Sequence, residues 1–207
     1  MHLLRSSILC VVLLASTAGS ALLAQEWGAQ ALALTPDGLR SPDGMWALHR
    51  TRDGLVLVDG AGTPHGAPLA IDTLAEAQWS PDSTAVALTS SDGGAVGTWS
   101  YRILRATRND LLAVSDSRAV ARVFRSRPGG CKDETPNVAV AGWVSVGTLL
   151  IIAEAPPHSS CRDMGQVRAY TVTREGAIRR RHSLEAVRRG YPQLLGARLL
   201  TKYLWAS

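Results

Sequence analysis

The sequence predicts an all-β fold built from short antiparallel hairpins and closed by a short C-terminal helix. By pattern alone this is a barrel, a sandwich or a propeller. Three observations carry the reading. Ser80-Pro81-Asp82-Ser83 has a near copy, Ser41-Pro42-Asp43-Gly44, 39 residues earlier, and an apolar run follows each. About twelve short apolar segments recur with turn residues every 8–12 positions. Helical spacing with an N-cap occurs once after the last of them, from Ser183.

In order, Glu26 to Leu34 reads as a first strand ending at Thr35-Pro36-Asp37-Gly38. Met45 to His49 and Leu55 to Val58 form a hairpin across Arg52-Asp53-Gly54. Asp59 to Pro64 is a loop and Pro68 to Ile71 an edge strand. Ala75 to Trp79 enters the second Pro-Asp turn, and Ala85 to Thr89 leaves it. Pro presets φ at the second turn position, Asp can bond backbone N–H groups, and Gly accepts positive φ. After the Gly-rich loop Ser90 to Gly97 comes a strand from Thr98 to Leu104. Leu111 to Ser115 and Arg118 to Arg125 are expected to pair across Asp116-Ser117. Val138 to Val144 and Leu149 to Glu154 repeat the strand-turn-strand pattern, with Trp143 in the place of Trp79. Val167 to Thr173 and Ile178 to His182 form the last hairpin across Glu175-Gly176, before a helix that ends near Gly190.

A chain of 207 residues with 46% hydrophobic and 19% charged residues is long enough for one domain with a sizeable core. The N-terminus is short and positive, Met1 to Arg5, followed by the apolar run Ile8 to Ala15 and the small residues Ser16 to Ala21. These are the features of a secretory signal peptide, residues 1–24, cut after Ala24 or a few residues earlier. A membrane anchor would need an unbroken apolar stretch of about 20 residues. The mature part, residues 25–207, is expected to be a single all-β domain without a transmembrane segment. Cleavage takes Arg5 and no acid, so the net charge falls by one from +5. Only Lys132 and Lys202 are lysines, so arginine carries the charge. The expected location is periplasmic or secreted, which removes nucleic acid from the partners that a basic chain can meet.

At Trp79-Ser80-Pro81-Asp82 and Ser41-Pro42-Asp43-Gly44-Met45-Trp46 the chain resembles the TolB-type propeller repeat, an envelope relative of the WD repeat. Blades of that family carry W-S-P-D-G and an apolar strand once in about 40 residues. The resemblance covers residues 35 to 105. Ser83 stands where the repeat has glycine, and the second half lacks the motif. The resemblance implies a small or degenerate propeller, since roughly 180 mature residues make four such blades against the usual six or so. The reading of the chain as a whole is an exported, non-catalytic binding or interaction protein of the cell envelope. The alternative is a small secreted hydrolase or lyase whose site is assembled across loops.

No cofactor motif is present. Gly60-Ala61-Gly62 would need its third glycine at His65 and has no helix after it, and neither a G-x-S-x-G elbow nor an H-E-x-x-H pair occurs. Asp37, Asp43, Asp53, Asp59 and Asp82 each precede a turn residue, so turn chemistry is their expected role. In the mature chain Cys131 and Cys161 lie in the polar loops Ser126 to Asn137 and Ala155 to Gly165. An oxidising compartment favours a disulfide between them, worth roughly 3–4 kcal/mol by loop closure. A metal set from Cys131, Glu134, His158 and Cys161 is the competing reading. Loops carry recognition in such folds. Arg127, Lys132 and Arg162, with Arg125, therefore mark the expected binding face, and an acidic envelope or secreted protein the expected partner.

Overall fold

A computed structural model describes residues 27–33, 38–72, 74–93, 97–128, 130, 132–157 and 159–201. The signal segment, Thr35 to Asp37, Cys131 and His158 lie outside the described residues. Thirteen strands among the described residues form three antiparallel sheets, and no closed barrel is formed. β1 (Leu32–Ala33) is a two-residue addition to the second sheet. The first sheet is β2 (Leu39–Arg40), β3 (Trp46–Thr51), β4 (Gly54–Asp59) and β5 (Pro64–Leu69). The second is β6 (Leu74–Trp79), β7 (Ala85–Ser91), β8 (Trp99–Ala106) and β9 (Leu111–Asp116), with β1 on the outer side of β6. The third is β10 (Asn137–Ser145), β11 (Thr148–Glu154), β12 (Val167–Thr173) and β13 (Ile178–His182). Within each set of four, every strand pairs with its neighbour in sequence, so each sheet is a meander.

The strand period of two decides how the sheets stack. In β7, Val86 and Leu88 join Leu48, Leu55 and Leu57 of the first sheet in one apolar cluster. Ala85 and Ala87 face the other way and join Val138, Val140, Leu149 and Ile151 of the third. Alternate residues of one strand thus serve two cores, which is why Ala85 to Leu88 reads as a continuous apolar run instead of alternating. The third sheet repeats the device. Leu150 and Ile152 turn away from the second sheet toward Trp27, Val187, Leu194 and Leu199. These last belong to the N-terminal segment and to α2 (Leu184–Gly190), a 3₁₀ turn (Pro192–Leu194) and α3 (Ala197–Thr201), which cover the outer face.

The Ser-Pro-Asp copies form the same turn. In the first, Ser41 Oγ donates to Asp43 Oδ1 at 2.5 Å, Met45 N–H donates to Asp43 Oδ1, and Ser41 N–H bonds Trp46 O. In the second, Ser80 Oγ donates to Asp82 Oδ1 at 2.5 Å, Thr84 N–H donates to Asp82 Oδ1, and Ser80 N–H bonds Ala85 O. Gly44 has φ 73° and Ser83 φ 60°, so the serine occupies the left-handed position that glycine holds in the first copy. The tryptophans bridge sheets in register. Trp79 Nε1–H donates to Leu39 O at 2.9 Å, two residues before Ser41, and Trp143 Nε1–H to Gln78 O at 3.4 Å, two before Ser80.

One expectation is corrected. Arg118 to Arg125 is not a strand but α1 (Arg118–Arg125), and β9 pairs with β8. The run Arg118-Ala-Val-Ala-Arg-Val-Phe-Arg suits either period, because alanines fill the alternate positions. Burial of Val120 and Phe124, four residues apart, against the second and third sheets selects the helix. Its start lacks a Ser117 cap, and Asp116 Oδ1 accepts from Arg118 N–H at 3.0 Å instead. The predicted cap of α2 is present, with Ser183 Oγ accepting from Ala186 N–H at 3.1 Å. Trp79 and Trp143 are buried, whereas Trp46 is half-buried.

Candidate cationic loop face

The loop from α1 to β10 and the loop from β11 to β12 meet beside the end of α1. Side-chain contacts join them. Arg127 forms an ion pair with Asp163, and Ser159 Oγ donates to Glu134 Oε2. Cys161 N–H donates to the same Ser159 hydroxyl at 2.9 Å, and Cys161 Sγ lies 3.1 Å from Glu134 Oε2. The partner position of the expected disulfide, Cys131, lies outside the described residues.

The four cations read from the sequence have different fates. Arg127 turns inward, with its side chain 11% exposed and that of Asp163 5%. Its guanidinium sits 3.6 Å from the centre of the Phe124 ring and donates to Phe124 O. Burial lowers its pKa, as expected for a cation taken from water. Arg127 therefore holds the loop in place. Lys132 and Arg162 are exposed and Arg125 is half-buried.

The sequence reading missed Arg168 and Arg181 for this face. Tyr170 and Arg181 are cross-strand partners in β12 and β13, and Arg168 lies two residues from Tyr170 on the same side. Burial raises the pKa of the Tyr170 hydroxyl, and the charges of Arg181, Arg127 and Arg168 act against that shift. Alternation in Val167-Arg168-Ala169-Tyr170 was the available signal. Of the acids in the two loops, Asp163 is engaged by Arg127 and Glu134 by Ser159.

A second concavity, of about 400 Å³, lies between β9, α1 and the β12–β13 turn and includes Arg102, Ser115, Asp116, Arg118, Arg122 and Glu175. Several of its polar groups have partners inside or beside it. Arg118 Nε donates to Asp116 Oδ2 at 2.7 Å, and Ser115 Oγ donates to Arg174 O at 2.7 Å. Burial works to raise the Asp116 pKa, but the Arg118 hydrogen bonds and charge outweigh it and hold the carboxyl below its ordinary value. A general acid would need the opposite shift. Among the described residues no helix is long and apolar enough to cross a membrane, and no three His, Cys, Asp or Glu side chains converge as a metal site. The chain matches no family model, no curated protein and no solved structure.

Proposed function

We propose that this chain is an exported, non-catalytic interaction protein of the cell envelope. In this reading its three meanders are blades of a small, TolB-like propeller repeat, and its cationic loop face captures an acidic protein partner. The observation that carries the reading is the face itself. Lys132, Arg162, Arg168 and Arg181 are exposed beside two loops that Arg127–Asp163 and Glu134–Ser159 tie together. Prior ordering of loops lowers the entropy lost on binding, and an unbalanced positive field speeds encounter with an acidic surface. Sheet stacking and the paired Ser-Pro-Asp turns support the repeat reading.

The test is a double charge reversal, Lys132→Glu with Arg162→Glu, at exposed positions. Capture of acidic partners from an envelope extract should drop sharply and the melting temperature should stay within a degree or two. Undiminished capture would move the binding surface elsewhere. Export has its own check, since mass spectrometry of the mature protein should find an N-terminus between about residues 19 and 27. For the proposed Cys131–Cys161 bond, a thiol reagent without reductant should label neither cysteine.

A further inference from the structure

We propose that the outer strand of the third sheet, β13, adsorbs to an anionic phospholipid surface through the row Arg179-Arg180-Arg181. The strand is the last of its sheet and pairs with β12 on one side only. All three arginines are exposed. Among the described residues, no hydrogen bond or ion pair engages any of the three guanidiniums. Nearby arginines are committed within the fold. Arg174 lies 3.7 Å from Asp82, Arg189 3.1 Å from Glu185, and Arg198 2.8 Å from Glu154.

The charge of the row is not balanced locally. Residues 176–184 contain no acid. Of the two acids that flank them, Glu185 is held by Arg189, and Glu175 lies 3.8 Å from Arg174. Arg181 stands opposite Tyr170 and Arg180 opposite Thr171, so these two take opposite sides of the strand. Arg179 sits at the irregularity between Thr171 and Val172. The cations therefore spread along an open edge, and no pocket gathers them. Protection of that edge does not call for such a row. β5, the outer strand of the first sheet, is guarded by Pro64 and Pro68 and carries no arginine.

The character of the strand decides what kind of surface it meets. A protein interface is centred on buried aromatic or apolar anchors. No large apolar side chain of β13 or α2 is exposed to serve as one. A lipid surface needs none, because it offers repeated phosphates and its attraction grows with each cation brought near. Arginine suits that target, since its planar fork bonds phosphate oxygens in pairs. The row adjoins the cationic loop face at Arg181, but vesicle binding does not depend on the capture of an acidic protein there.

The test is co-sedimentation of the mature chain with phosphatidylcholine vesicles, with and without phosphatidylglycerol. Binding is expected only with the anionic lipid, and high salt should release it. Arg179→Gln/Arg180→Gln/Arg181→Gln should weaken it by roughly fivefold for each arginine removed. Lysine at the same three positions keeps the charge and should keep most of the binding. Arg40→Gln/Arg52→Gln/Arg105→Gln removes as much charge from exposed positions of the other two sheets and should change binding little. No binding to anionic vesicles, or an equal loss in the two glutamine triples, would overturn the proposal. So would loss of binding in the lysine variant. Tighter binding to poly-glutamate than to the vesicles would assign the row to an acidic protein and overturn it as well.

Discussion

The backbone N–H of Asp43 donates to Ser83 Oγ at 3.0 Å, so the first Pro-Asp turn is bonded to its own copy 40 residues later. The departure of the second copy from the repeat, serine for glycine, is therefore a junction between sheets. Ser83 holds φ 60°, a conformation costing a non-glycine residue about 1 kcal/mol or more, and the hydroxyl offsets that by accepting the Asp43 bond. Ser83→Ala keeps the strain and loses the bond, so denaturant unfolding should show a loss of about 1 kcal/mol. Ser83→Gly loses the bond and the strain together and should come out near neutral. A Ser83→Gly loss as large as that of Ser83→Ala would remove strain from the account.

Acid should act through the turns. Ser41 and Met45 hydrogen bonds hold the Asp43 pKa below its ordinary value of 3.8, and the His65 bond does so for Asp59. At Asp82 burial opposes the shift, but bonds from Ser80 and Thr84, with the charge of Arg174, prevail. A carboxyl with a lowered folded pKa stabilises the fold above its unfolded pKa. That contribution is lost as pH falls through the folded value. Stability measured by urea titration should hold from pH 7 to about 4 and decline below it. Asp43→Asn with Asp82→Asn should lower the plateau and flatten the decline.

The indole bridges differ in strength. Trp79 donates at 2.9 Å and Trp143 at a long 3.4 Å. Replacing either by Phe removes the donor and leaves a carbonyl of the neighbouring sheet without it. Trp79→Phe should cost about 1–2 kcal/mol and Trp143→Phe less, read as denaturation midpoints at unchanged slope. The reverse order would mean that packing, not the hydrogen bond, dominates at these sites.

At the opposite end, Arg198 Nη2 reaches Glu154 Oε2 at 2.8 Å, with the carboxylate side chain 1% exposed. The guanidinium also lies 4.8 Å from the Trp27 ring centre, so one side chain ties α3 to the third sheet and to the N-terminal segment. Arg198→Ala removes the cation that faces a buried carboxylate and should cost about 3–5 kcal/mol. The double variant Arg198→Met with Glu154→Gln should recover most of it, because a neutral pair of similar size has no such burial cost. Thermal unfolding of the three proteins checks the order.

Several elements of this protein are determined by the sequence alone, and all are local. Ser-Pro-Asp-Gly and Ser-Pro-Asp-Ser each bond within six residues, Thr51 to Gly54 closes a hairpin, and Ser183 caps the helix it opens. Turn chemistry and caps act between near neighbours, so their residues carry the whole signal. The tertiary structure decided the rest. It made Arg118 to Arg125 a helix, since Val120 and Phe124 found a core that only sheets far apart in sequence could supply. It drew Arg127 inward to Asp163, which no spacing within the loop foretells. It also brought Arg108 to the same surface depression as Met45 and Trp46, residues more than sixty positions away. Such contacts depend on how alternate faces of the middle sheet are shared between two cores, and that sharing exists only once the three sheets have stacked.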